Sequence, residues 1–195
     1  MSMSKDEIVK AEILEQAQKL FQQFGLKKTT MDEIAIACGK AKSTLYHYFK
    51  GKEEVFDAVL HMEVINLRQH VKDKVEEYKK MLDKLQAYVI EFNLGIIQKT
   101  NLYYIVKQDS MFEARAKKHF FQMLDFEKLY IMRILEDGYD SGEYRGVERE
   151  DIPCIAELFL AAFYGVVQYS VERDGTFDEE KLTKAALLFV PKLFS

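Results

Sequence analysis

Apolar residues recur every three or four positions along most of this 195-residue chain, and no run of alternating β-branched residues appears. That pattern predicts helices and no sheet. Ile8, Ala11, Leu14, Ala17, Leu20, Phe21 and Phe24 form the first stripe, which Gly25 ends. Thr29 and Thr30 then precede Met31, Ile34, Ala35 and Cys38, so a hydroxyl N-cap opens a short amphipathic helix that Gly39 stops. Beyond the turn at 39–41, a second short helix starts at Lys42. Leu45, Tyr48 and Phe49 share its apolar stripe, while Thr44, Tyr46 and His47 point elsewhere. Gly51 closes it, and Lys52, Glu53 and Glu54 open a longer helix with Val55, Phe56, Val59, Leu60 and Leu67 inward. This helix would join a small head to a larger body and could pass a packing change from one to the other.

The body continues the helical period. One helix is expected over 78–95 with Leu82, Leu85, Val89 and Phe92 inward, then a short stretch at 102–109 and a long one at 111–137. The cluster of Gly138, Ser141, Gly142 and Gly146 should end the long one. Asp151 and Pro153 start a strongly apolar helix reaching Glu172, closed by Asp174 and Gly175. Asp178 then caps a last helix carrying Leu182, Ala185, Ala186 and Phe189. The expected fold class is all-α, with a three-helix head at 1–52 and a larger helical domain at 53–195.

Two short helices about a Gly-containing turn, the second bearing basic, hydroxyl and aromatic groups at its start, have the geometry of a helix-turn-helix that places its second helix in the major groove. The segment GKAKSTLYHYFKGKEEVF resembles the recognition helix and following turn of the TetR family of transcriptional regulators, and KLFQQFGLKKTTMDEIAIACG resembles its first two helices and their linker. The likeness covers residues 8–60. It implies a dimer that binds operator DNA through the head, with the divergent helical domain supplying the dimer interface and an inducer pocket. One departure lies in the turn, where Lys40 and Ala41 replace the family's apolar residue and Ser. Losing that hydroxyl removes a cap of about 1 kcal/mol.

Charge agrees with this division. Residues 1–52 hold nine Lys against six acids, a balance of +3, whereas the whole chain carries −4. A basic head on an acidic body suits a DNA-binding protein. Lys27, Lys28, Lys40, Lys42, Lys50 and Lys52 flank the two short helices, opposed nearby by Asp32 and Glu33. Cys38 and Cys154 have no ligand spacing, so neither a zinc site nor a disulfide framework is expected. No signal peptide and no run of about 18 apolar residues is seen, which makes the cytoplasm the expected compartment and a membrane an unexpected partner.

Carried over from the family pattern, the groove-facing residues are Lys42, Ser43, Thr44, Tyr46 and His47. Lys42 can donate to guanine O6 and N7, Ser43 and Thr44 can meet base edges or phosphates, and Tyr46 can donate to a phosphate. Lys40 adds a cation for the backbone. Thr30 and Lys52, each at a helix start, are placed for phosphates. Tyr46 and Tyr48 have an alternative as core aromatics with solvated hydroxyls, and His47 as a plain surface residue.

In the larger domain, Tyr104, Phe112, Phe120, Met123, Phe126, Phe163 and Tyr164 are candidates to line an apolar cavity for a small hydrophobic or aromatic effector, the alternative being that they only pack a core. Asn93, Lys107, Gln108, Arg115, His119 and Gln168 are polar groups that could orient such a ligand. The two C-terminal helices, with Ala161, Ala162 and Gly165 permitting close approach, suit a four-helix homodimer interface or burial within one monomer. No HExxH, carboxylate cluster or Gly-rich phosphate loop occurs, so neither an enzyme nor a bound cofactor is expected. The reading is a ligand-responsive repressor on a palindromic operator. A helical adaptor that binds only proteins is the rival.

Overall fold

Ser4 caps the first helix by accepting from the Glu7 backbone N–H at 3.2 Å, while the Glu7 carboxylate accepts from the Ser4 N–H at 2.7 Å. This reciprocal pair satisfies two donors that a helix start otherwise leaves without partners. The computed structural model describes residues 4–98, 110–144, 146–174 and 179–194, with side chains described except at 96–98, 110–123 and 167–174. It divides into two units, Met1–Val64 and Ile65–Ser195.

The first unit contains α1 (Lys5–Lys28), α2 (Met31–Ala37), α3 (Lys42–Tyr48) and the first half of α4 (Lys52–Val75). Its core joins Ile13, Leu14, Ala17 and Phe21 of α1 to Ile34 and Ala35 of α2, Leu45 of α3 and Val55, Phe56, Val59 and Leu60 of α4. Phe21 and Phe56 meet edge-on with ring centres 5.1 Å apart, a favoured aromatic geometry. The expected α1 stripe is only partly inward, since Ile8 and Phe24 are 47% and 48% exposed. A series spaced by three drifts around a helix of 3.6 residues per turn, so its ends leave the core. Gly25 kinks α1 with φ 75° and ψ 163°, a conformation open essentially to glycine alone.

The end of α1 leaves carbonyls without helical donors, and side chains from the following residues supply them. Thr29, 1% exposed, donates its hydroxyl to the Gly25 carbonyl at 2.9 Å. The Lys52 ammonium, at the start of α4, donates to the carbonyls of Leu26, Lys27 and Thr29 at 3.0, 3.2 and 3.1 Å.

In the second unit α5 (Met81–Gln98) packs on α6 (Ser110–Asp140) and on α8 (Glu179–Leu193), and α7 (Ile152–Asp174) lies against α6 after a 3-10 turn at Arg149–Asp151. Met81, Leu85, Tyr88, Val89 and Phe92 of α5 are buried with Ile131 and Leu135 of α6, Ala156 and Phe159 of α7, and Leu182, Ala186 and Val190 of α8. α5 starts at Met81 rather than 78, and α6 runs through Gly138 instead of stopping there. The reason is packing: a Cβ on Gly138 would lie 2.5 Å from the Met81 sulfur, so this glycine permits a close approach. Gly142, at φ 72°, follows the helix end. Phe189 of α8 turns out to be 62% exposed, because the inward row is 182, 186 and 190. The expected helix at 102–109 and the Asp178 cap lie outside the described residues. None of the helices described is long and apolar enough to cross a membrane.

Lys52→Met keeps the aliphatic stem but removes three charge-assisted hydrogen bonds. Denaturant unfolding should show a loss of about 1–3 kcal/mol, with the loss concentrated in the transition of the first unit.

Candidate nucleic-acid interface

Local chemistry fixes α3 from both ends. Thr30 caps α2, its hydroxyl accepting from the Glu33 N–H at 3.3 Å while the Thr30 N–H donates to the Glu33 carboxylate at 2.8 Å. α2 ends in a Schellman turn: Gly39, at φ 61°, donates to the Ile36 carbonyl and Lys40 donates to the Ala35 carbonyl, both at 3.0 Å. The chain thereby reverses within 38–41. Ala41 stands at the N-cap of α3 and supplies no side-chain cap, as its residue type dictates. At the other end Phe49 is buried and takes the Lys10 ammonium over its ring at 5.5 Å.

With Leu45 and Phe49 inward, α3 turns Lys42, Ser43, Tyr46 and His47 outward. Thr44 and Tyr48 are half-buried. Tyr48 donates to Asp6 at 2.9 Å, and this hydrogen bond holds its phenol above the usual range. Its ring meets His47 edge-on at 5.0 Å. Two lysines at the start of the surface already hold acids: Lys40 pairs with Glu12 at 2.9 Å and Lys42 with Asp32 at 2.7 Å. The Asp32 hydrogen bond, helped by its charge, raises the Lys42 ammonium pKa.

The candidate residues therefore fall into two groups. Lys40, Lys42, Ser43, Tyr46 and His47 come together on α3 and its turn, with Thr44 at the edge of the same face. Thr30 is exposed but its hydroxyl is engaged in the capping box, and the three donors of Lys52 are engaged by carbonyls. Asp6, Glu12 and Asp32 are the partners that sequence reasoning did not assign. Asp32 carried a signal, being an acid beside the lysines, but Asp6 and Glu12 lie far away along the chain.

In the larger unit, Phe163 is buried with its ring 4.8 Å from Phe159, Tyr164 is half-buried, and Phe126 is 55% exposed with the Arg68 guanidinium 4.9 Å from its ring centre. Tyr104, Lys107 and Gln108, and the side chains of Phe112, Arg115, His119, Phe120, Met123 and Gln168, lie outside the described residues. Asn93 is buried and donates to the Val89 carbonyl at 2.6 Å. A polar network missed from sequence joins three helices: Glu127 of α6 forms an ion pair with Arg68 of α4 at 2.8 Å and accepts from the buried Tyr88 hydroxyl of α5 at 3.2 Å. Burial pushes the Glu127 carboxyl up against the pull of Arg68, and pushes the Tyr88 phenol well above its ordinary range. Both cysteines are free.

A capped helix, a Schellman turn and a short second helix with a polar outer face define a helix-turn-helix protein. The family model for bacterial regulatory proteins of the tetR family matches residues 13–59. The regulator YhgD of Bacillus subtilis, an HTH-type transcriptional regulator, is 30% identical over 152 residues, covering 75% of this chain and 73% of YhgD. The HTH-type transcriptional repressor KstR2 of Mycobacterium tuberculosis is 27% identical over 139 residues, 70% of this chain and 69% of KstR2. A transcriptional regulator from Cytophaga hutchinsonii has a similar solved structure, with a TM-score of 0.69 at 26% identity, covering 92% of this chain and 95% of that one. The chain belongs to the TetR family and is an all-α, DNA-binding transcriptional regulator.

Removing the Glu127 acceptor should be felt locally. Glu127→Ala is expected to lower the unfolding free energy by about 2–4 kcal/mol, because Tyr88 loses its acceptor and Arg68 its counter-charge. Glu127→Gln retains an acceptor and should lose less than half as much in denaturant titrations.

Proposed function

We propose that this regulator is a repressor that binds a palindromic operator as a homodimer, with α3 in the major groove of each half-site. The observation that carries this reading is the division of α3 into an inward face, Leu45 with Phe49, and an outward face, Lys42, Ser43, Tyr46 and His47. Lys42 reads a base, Ser43, Thr44 and His47 contact bases or phosphates, and Tyr46 and Lys40 hold the backbone. Thr30 and Lys52 flank these contacts from the starts of α2 and α4. The sign of regulation is supported by the repressor KstR2 among the relatives. No catalytic role is proposed.

The dimer forms through the two C-terminal helices. On α7, Cys154, Leu158, Ala161, Ala162, Gly165 and Val166 are exposed at helical spacing, opposite the buried Ile152, Ala156, Phe159 and Phe163. α8 adds exposed Leu187, Leu188, Phe189 and Leu193. Apolar rows of this extent are uncommon on a monomer's surface. A homodimer also doubles the bases read by one short helix.

The larger unit takes a small hydrophobic or aromatic effector among Tyr104, Phe112, Phe120, Met123, Phe126, Phe163 and Tyr164. It releases DNA by binding one of two conformations more tightly, and α4, which belongs to both units, carries the change. Such a protein works in the cytoplasm, where DNA and small metabolites meet.

Selection of duplexes from a random pool, followed by anisotropy titration of the enriched one, tests the reading. Enrichment of a palindrome is expected, with Lys42→Ala weakening the enriched duplex about tenfold to a hundredfold and a scrambled duplex far less. Equal losses on both would make Lys42 a phosphate contact, and failure to enrich any duplex would remove the operator reading. Separately, Leu158→Glu with Phe189→Glu should convert a dimer to a monomer in sedimentation, and an unchanged mass would place the interface elsewhere.

A further inference from the structure

Lys42 is the first residue of α3 and Asp32 sits in the first turn of α2, with Nζ and Oδ1 2.7 Å apart and both side chains more than half exposed. An ion pair this exposed adds little to stability, so its consequence has to be sought where DNA arrives. An ammonium has three donors. One is fixed on Asp32, leaving two directed away from it. A guanine edge offers two neutral acceptors, O6 and N7, in the major groove. A phosphate, by contrast, brings a negative charge toward the Asp32 carboxylate, and like charges at close range repel.

We infer that Asp32 is a specificity-determining residue that positions Lys42 on a guanine of the operator and keeps it off the phosphates of other sequences. This rests on the reading of α3 as the operator-reading helix. Asp32 acts through Lys42 and makes no base contact of its own in this scheme. The Lys40 and Glu12 pair, 2.9 Å apart, shows that cation pairing extends through the turn that precedes α3. The physical effect is to convert a general phosphate binder into a selective one. Non-specific affinity, which comes from phosphate neutralisation and counterion release, falls, and a neutral pair of acceptors keeps its full attraction.

The test is anisotropy titration of the enriched and a scrambled duplex across a salt series, with wild type, Asp32→Asn, Asp32→Glu, Lys42→Met and the Asp32→Asn, Lys42→Met double variant. Circular dichroism confirms that each is folded. Asp32→Asn should tighten the scrambled duplex about five- to thirtyfold and steepen its log–log salt dependence by about one unit, with the enriched duplex changed less than threefold. Asp32→Glu, which keeps the charge, should behave as wild type within threefold. In the Lys42→Met background the tightening should vanish. Replacing the contacted guanine by 7-deazaguanine should weaken wild type more than the Asp32→Asn variant. Equal tightening on both duplexes, tightening that survives without Lys42, or no tightening at all would overturn the inference. Failure of wild type to enrich any duplex would instead overturn the operator reading itself, a result seen before any variant is made.

Discussion

The Lys52 ammonium ties together three chain segments that no hydrophobic contact alone could register. It donates to the carbonyls of Leu26 and Lys27 at the end of α1 and of Thr29 just before α2, while itself being the first residue of α4. The end of α1 creates the need for such a partner, since the last carbonyls of a helix have no helical donors, and Gly25, at positive φ, turns the chain one turn before that end. With that end sealed, α2 begins at Thr30 in a fixed direction and the Schellman turn at 38–40 sets the direction of α3. The outward aim of Lys42, Ser43, Tyr46 and His47 is thus the product of caps and turns placed upstream. The apolar core beneath supplies stability, whereas these polar closures supply orientation.

Much of this was legible in the chain before its fold was known, for a physical reason: caps, turns and amphipathic faces are written within four or five residues. The Thr30 hydroxyl before Met31, Gly39 after Cys38, and Leu45 with Phe49 are all such local signals. The three-helix head and its polar outer face followed from them. What stayed hidden involves partners distant in sequence. Lys52 looks like a phosphate ligand when read at a helix start, but its carbonyl partners lie 23 to 26 residues earlier. Tyr48 finds Asp6 at a separation of 42 residues. Neither pairing leaves a periodic trace. In the larger unit, Gly138 reads as a stop because glycine ends many helices, yet its role is to let α6 approach Met81.

The larger unit shows a second kind of illegibility. Aromatic density points to Phe126, Phe163 and Tyr164, yet a buried polar group joins three helices of the unit. Glu127, 2% exposed, would be expensive to bury without compensation, and Arg68 and Tyr88 together provide it from two other helices. Such a network requires all three helices in one arrangement, since a shift of any one strands a charge or a hydroxyl. It therefore favours discrete packings over gradual deformation, which is the property a ligand-responsive domain needs. That Arg68 lies on α4 adds weight to this, because α4 is the helix whose other half carries Val55, Phe56 and Val59 in the core of the head.

The electrostatics of the head fit the same logic of restraint. Nine lysines against six acids would give a broadly sticky surface if the lysines stood alone around α3. Instead Glu12 and Asp32 pair with Lys40 and Lys42 at the start of α3, and Lys52 spends its donors within the fold. What remains outward on α3 is a serine hydroxyl, a phenol and an imidazole, groups whose interactions depend strongly on geometry. Long-range attraction brings a protein to any DNA, but only short-range complementarity separates one sequence from another. On the operator reading proposed above, pairing Lys40 and Lys42 within the head gives up part of the first and thereby raises the share of the second.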